Sequence, residues 1–348
     1  MSQGKVVLVT GVSSGIGRAI AGLIPRHGFR VFGTARDAGP KRPLEEVELI
    51  YVDVRDEDSV RSCVQTVLDR AGRIDALVNN AGYTFIGSLE ETRIEEAKQL
   101  FDTNFFGVLR MTQAVLPFLR EQRSGRIINI GSVVGFVPAP YQGIYSASKH
   151  ALEGYSESLD HEVRAFGVRV SVVEPGFTRT NIAKNSQVAA RPLEAYADGR
   201  ARVLTVIAEN IAKGATPLGV AEVVLKALTS QSPRARYPVG REANSLAACE
   251  NSRLRVSSTR AFENSFSWTL PDHRTAQVFW ETLIQKKEGS HLLENRSCFD
   301  SVADGIYFEA MSYRRTYDTR SQIVIRDHPH HSSHDSVRRV FPFDLTDA

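Results

Sequence analysis

Cysteine is scarce: Cys63, Cys249 and Cys298 are the only three in 348 residues. Their number is odd, they lie far apart and they share no metal-ligand spacing. That argues against a disulfide framework or a cysteine-bound metal and suits a reducing compartment. No run approaches the roughly eighteen apolar residues that a membrane helix needs. The N-terminus lacks a basic stretch leading into an apolar segment and a small-residue cleavage site. A cytoplasmic protein without a membrane span is the expectation from these absences. A one-sided charge is missing too: 43 Lys and Arg stand against 40 Asp and Glu, interspersed, for a net +3. That balance argues against a nucleic-acid partner. No internal repeat is visible. The apolar fraction of 42% is ordinary, and a chain of this length can bury a core without staples.

Up to about residue 240, apolar β-branched runs alternate with helical patterns. VVLVT (6–10), RVFGTA (30–35), LIYVDV (49–54), ALVNNA (76–81), RIINIGS (126–132) and RVSVVEP (169–175) read as buried strands. Segments 57–71, 92–121 and 145–166 carry apolar residues at helical spacing. Strands buried on both faces and separated by helices predict an α/β fold, a doubly wound parallel sheet of the Rossmann-like kind. Beyond about Arg241 the sequence turns rich in Ser, Arg, Asp and His and no period persists. The expected organisation is a domain over 1–240 and an atypical, poorly ordered polar tail over 241–348. DHPHHSSHD (327–335) lies in that tail without paired distant ligands, so no metal is expected.

TGVSSGIG (10–17) follows the first strand and opens a helix. Glycines there permit a tight turn and close backbone approach to a diphosphate, and the helix N-terminus offers free N–H groups to that anion. Gly11, Ser13, Ser14, Gly15, Ile16 and Gly17 are the candidate contacts. The second strand decides which dinucleotide fits. An acid at its end would bond a ribose 2′-hydroxyl, whereas arginine accommodates a 2′-phosphate. Here the strand ends in Ala35 and Arg36 follows. The expected cofactor is therefore NADP(H), with NAD(H) less favoured.

Ser132 ends a strand, and YSASK (145–149) begins a helical pattern thirteen residues later. Tyr145 and Lys149 are i and i+4 and project from one helical face. A cation close to a phenol favours the phenolate and lowers its pKa towards neutrality, which suits a proton shuttle. Ser132 can bond the same substrate oxygen at the carboxyl edge of the sheet, where open parallel sheets bind ligands.

With these motifs in order, residues 1–240 resemble the short-chain dehydrogenases/reductases of the single-domain type, in the branch of hydroxysteroid and retinol dehydrogenases. The likeness rests on TGVSSGIG, Asp53-Val54, NNAG (79–82), Asn104 in FDTNFFG, Ser132, Tyr145, Lys149 and PGFTRT (175–180). It implies that Tyr145 donates a proton to a carbonyl oxygen held by Ser132. Lys149 lowers the tyrosine pKa and binds the nicotinamide ribose, and Asn104 maintains a water relay to Lys149. Asp53 and Val54 contact the adenine. Asn80, with Ala81 and Gly82, lies at the cofactor, and Asn80 stabilises the central sheet. Pro175, Gly176, Thr178 and Thr180 lie at the nicotinamide end. Segment 177–215 corresponds to the family's mobile substrate loop, and its apolar spacing suits a lid over a hydrophobic ketone or secondary alcohol. The resemblance also implies a homodimer or homotetramer, paired through 92–121 and 145–166. It stops near Ala243, where the family's pocket-closing helix is expected. The reading is a small-molecule oxidoreductase; the alternative is an NADP-binding sensor or scaffold whose tail engages a protein partner.

Overall fold

The computed structural model describes residues 4–36, 44–180 and 186–248. Of the tail expected over 241–348, the part from Cys249, including 327–335, lies outside the described residues, as does Asp37 beside Arg36.

Seven strands form one parallel sheet: β1 (Val6–Val9), β2 (Arg30–Ala35), β3 (Val47–Tyr51), β4 (Ala76–Asn79), β6 (Gly125–Ile130), β7 (Val168–Pro175) and β9 (Arg236–Val239). Their order is β3-β2-β1-β4-β6-β7-β9. This is the predicted doubly wound fold. A separate parallel pair joins β5 (Phe85–Ile86) to β8 (Gln187–Val188).

Alternation along each strand separates two apolar layers. Val6 and Leu8 face a core shared with α2 (Glu57–Ala71), α4 (Gly107–Glu121) and α5 (Gly143–Val163). Val7 and Val9 face the opposite core, under α1 (Gly15–Leu23) and α7 (Pro217–Thr229). Local chemistry explains the sharp bounds of α2. The Asp56 side chain accepts from Ser59 N at 2.6 Å, Glu57 and Asp58 fill the first turn, and Gly72 closes the helix at φ 71°. Each device satisfies end groups that a helix leaves unpaired. Among the described residues no helix is long and apolar enough to cross a membrane.

Several elements differ from the sequence expectation; among them, residues 241–248, expected to begin the poorly ordered tail, are helical. The helix predicted over 92–121 is divided into α3 (Ile94–Phe101), a π-turn over Asp102–Phe106, and α4. The strand predicted over 49–54 spans Val47–Tyr51, because the chain must turn out of the sheet before the Asp56 cap. RYPV, given no strand by its pattern, pairs with β7 as the sheet's last strand.

Candidate active site

β1 sits at the point where the sheet order reverses, with β2 on one side and β4 on the other. A crevice opens outside the carboxyl ends of strands at such a point. The glycine turn lies there. Gly11 adopts φ 72°, which favours a residue without Cβ, and a Cβ at Gly17 would run into the Asn80 amide and the Gly11 carbonyl. Asn80 holds the turn by donating to Thr10 O at 2.9 Å and Gly11 O at 3.0 Å. Thr10 Oγ1 in return accepts from Asn80 N and Ala81 N at 2.9 and 3.0 Å. Asn80 thus braces the turn. The neighbouring Asn79 ties the sheet, donating to Asn129 Oδ1 at 2.9 Å. No side chain caps α1: Ser14, at its N-cap, makes no capping bond. Ser13 and Ser14 are exposed, and Gly15 and Ile16 are half-buried. An uncapped helix end behind a glycine turn that only lean backbone can form suits a dinucleotide diphosphate.

At the far end of the crevice Arg36 is exposed, just past β2. Asp53 is not open to a ligand on its own. Arg55 grips it through Nε at 3.0 Å and Nη2 at 2.6 Å, and that guanidinium holds the carboxyl below its usual range, with a smaller pull from Arg36. Val54 turns inward and packs where a Cβ on Gly107 would meet it at 2.8 Å. Arg55 belongs to none of the sequence motifs. It places a second guanidinium near Arg36 and Asp53.

Asn104 sits buried in the π-turn. Its amide donates to Tyr83 O at 2.9 Å, its carbonyl accepts from Tyr83 N at 3.1 Å, and Ser148 Oγ lies 3.5 Å away. Single π-turns within helices recur at functional sites. Here the turn lets Asn104 bond both polar groups of the Tyr83 backbone, beside Gly82. Its side chain also reaches Ser148, the residue before Lys149.

Ser132, Tyr145 and Lys149 meet at the carboxyl end of β6. Ser132 caps the short turn Val133–Gly135, accepting from Val134 N at 3.3 Å, and hydrogen-bonds Tyr145. Tyr145 and Lys149 share one face of α5, with Lys149 Nζ 5.9 Å from the phenol ring centre. Lys149 donates to Ile130 O at 2.8 Å. The electrostatics correct one expectation. Burial pushes the Tyr145 phenol up to about 12, opposed in part by Ser132, rather than down towards neutrality. The reason is that Tyr145 lies among Phe85, Leu100, Val134 and Ala189, while the Lys149 ammonium is turned towards Ile130. Burial lowers Lys149 to about 8, against the pull of Glu153.

Of the 175–180 segment, Pro175 ends β7, and Gly176 N donates to Val239 O at 2.9 Å. Thr180 lies against the glycine turn, with its methyl 3.5 Å from where a Cβ on Gly15 would be. Thr178 is buried and donates to Gly176 O at 3.1 Å, so its hydroxyl faces its own loop. Residues 181–185 lie outside the described residues. The chain resumes as β8 and then α6 (Ala197–Lys213), whose Val203 and Ile207 pack with Ile86, Tyr141 and Phe177. Buried acids fasten this segment. Glu91 accepts from Leu193 N at 2.8 Å and from Arg200, and Glu96 accepts from Ala190 N at 3.0 Å. Nothing in the sequence marks these carboxylates, since their partners lie about a hundred residues later.

The comparisons with known proteins agree with this layout. A family model described as short chain dehydrogenase matches residues 5–190. A 3-ketodihydrosphingosine reductase of Bacteroides thetaiotaomicron is 40% identical over 240 residues, covering 68% of this chain and 88% of that protein. The crystal structure of a short-chain dehydrogenase from Streptomyces avermitilis superposes with a TM-score of 0.65 at 35% identity, covering 76% of this chain and 97% of the other. A short-chain dehydrogenase/reductase from Burkholderia phymatum, in complex with NAD, superposes at 0.61 with 26% identity, over 78% of this chain and all of the other. Members of this family bind a nicotinamide cofactor and act on small molecules. With its glycine turn, its sheet order and these matches, the chain belongs to the short-chain dehydrogenase/reductase family of oxidoreductases.

Proposed function

We propose that the chain is an NADP(H)-dependent carbonyl reductase of a hydrophobic, long-chain ketone, with Tyr145 as proton donor. The observation that carries this reading is the convergence of Ser132, Tyr145 and Lys149 beside a turn suited to a dinucleotide. When bound, the nicotinamide supplies the hydride. Gly11–Gly17 and the N-terminus of α1 would hold its diphosphate, and Arg36, with Arg55 close by, would hold an adenosine 2′-phosphate. Tyr145 and Lys149 would hold the nicotinamide ribose, with Pro175, Gly176, Thr178 and Thr180 at the nicotinamide end. Residues 1–240 carry all of this activity, and 241–348 form an appended segment.

A phenol at about 12 keeps its proton at neutral pH. It therefore enters a reduction as the acid, ready to protonate the carbonyl oxygen as negative charge develops there. Ser132, fixed by its cap, orients the same oxygen. Lys149, at about 8, is mostly an ammonium at pH 7 and stabilises the phenolate left behind. The apolar surroundings of Tyr145 and the lid residues Val203 and Ile207 exclude water and favour a hydrocarbon substrate. The long-chain ketone named by the Bacteroides relative supports that choice.

The test is oxidation of NADPH and NADH by the purified full chain across ketones of rising chain length. Turnover that grows with chain length and favours NADPH is expected. Failure to reduce any ketone, or to oxidise any matching alcohol, while NADPH still binds would overturn the proposal in favour of a sensor or scaffold.

A further inference from the structure

One buried acid stands directly behind the catalytic pair and is not used by the mechanism above. Glu153 follows Lys149 by one turn of α5 and is 5% exposed. It lies beneath the segment that carries Ser132. A Cβ on Gly131 would come within 2.9 Å of Glu153 Oε1, and one on Gly135 within 3.3 Å of both its Cγ and Oε1. Arg236, on β9, donates through Nε to Glu153 Oε2 at 3.2 Å. Glu174 of β7, 2% exposed, hydrogen-bonds Glu153, and its Oε1 is 3.8 Å from the same Arg236 Nε. Two carboxyls can bond each other only if one proton lies between them. Such a pair would hold one proton and one negative charge.

The groups around that charge are few. Lys149 and Glu157 face it from α5, Glu174 from β7 and Arg236 from β9, while the glycine-flanked segment after β6 brings no titratable group. Glu157 reaches only the outer end of Arg236, at 3.3 Å from Nη2. Glu153 Oε1 itself is buried without a hydrogen-bond partner. A buried carboxylate with one oxygen left unpartnered is costly unless cations share its surroundings. Among the described residues, the cations acting on it are Arg236 and Lys149.

We propose that Glu153 is a positioning residue of the active centre: the charge it shares with Glu174 is the counter-charge that keeps Lys149 an ammonium, and Arg236 keeps that charge on Glu153. Its consequence for catalysis rests on the reductase reading. Burial alone drives Lys149 towards its neutral form, and Glu153 is the one charged group that opposes this. Burial likewise pushes the Glu153 carboxyl well up, and Arg236, more than Lys149, pulls it back. A purely mechanical role, tying β9 to α5, would survive replacement of the carboxylate by an amide of the same shape.

The experiment is an NMR titration of the full chain labelled at lysine Cε, with Lys149→Arg identifying the Lys149 signal. Glu153→Gln is expected to lower the Lys149 midpoint by about one pH unit, as loss of an opposite charge at close range does. Glu153→Asp should restore most of it. Glu174→Gln should leave it in place, because the amide can donate where the shared proton was and the charge remains. If Glu153→Gln does not fold, Arg236→Met replaces it. The proposal expects that variant to lower the midpoint by letting Glu153 take up a proton. Simple loss of a repelling cation would raise it. A midpoint unmoved by Glu153→Gln, or raised by Arg236→Met, overturns the proposal. In a protein that reduces ketones, the alkaline limb of kcat should fall with the midpoint while KM holds. A shifted midpoint in a protein that turns over nothing sinks the reductase reading and leaves the counter-charge intact.

Discussion

Between Thr10 and Gly17 the chain is held by its own backbone and by Asn80, which arrives at the end of the neighbouring strand. Across the crevice, segment 186–200 is held by acids, Glu91 and Glu96, that belong to a stretch about a hundred residues earlier. The first arrangement is short-range and repeats one physical requirement, a lean turn facing an anion. The second is long-range, joining residues about a hundred positions apart. On the proposed reading, the cofactor side is braced locally and the substrate side is fastened by contacts distant in sequence. Loops that bind differing ligands are drawn from such regions.

The largest effect is expected on the proposed substrate side. Arg200→Met would leave the fully buried Glu91 carboxylate without its cation. Loss of one partner of a buried pair costs about 3 kcal/mol. The thermal midpoint should fall and KM for a long-chain ketone should rise, with NADPH affinity unchanged. On the cofactor side, Asn80→Ala removes the hydrogen bonds to the Thr10 and Gly11 carbonyls. A stability loss of about 2 kcal/mol is expected, this time with weakened NADPH binding and little change in KM for the ketone. Calorimetry and fluorescence titration of the two variants would show whether the halves separate in this way. Arg36→Ala is the mildest. It should leave the thermal midpoint alone and weaken NADPH relative to NADH by about tenfold, or roughly 1.4 kcal/mol. Equal losses for both dinucleotides would remove Arg36 from the 2′-phosphate site and leave Arg55 as the nearer candidate.

What the sequence reveals follows the same line. β2 over 30–35 and α2 over 57–71 are read to the residue, because alternation, an Asp56 cap and Gly72 are local signals. The order of glycine turn, NNAG, Ser132 and YSASK announces the family for the same reason. The π-turn at 102–106 stays hidden, since its extra residue is stabilised by Asn104 bonding Tyr83, twenty-one positions away. The edge strand Arg236–Val239 stays hidden because four residues with a proline among them carry no period of their own. The inward turn of Val54, the grip of Arg55 on Asp53 and the upward shift of Tyr145 all depend on what surrounds a side chain. Pattern gives residue identity and direction along an element, but burial is a property of the assembled core. Glu153 shows this most clearly. In YSASKHALEG it reads as a polar helix position, yet it is buried between two sheet strands and the active-site turn.

Whether Tyr145 gives the proton is read from rapid mixing of the full chain with NADPH and a ketone substrate. Wild type and Tyr145→Phe would be followed for hydride transfer in a single turnover, with NADPH affinity measured separately for each. The account predicts that the variant binds NADPH normally and transfers hydride at least about a hundredfold more slowly, the scale of a lost general acid. Hydride transfer at the wild-type rate in Tyr145→Phe would contradict it.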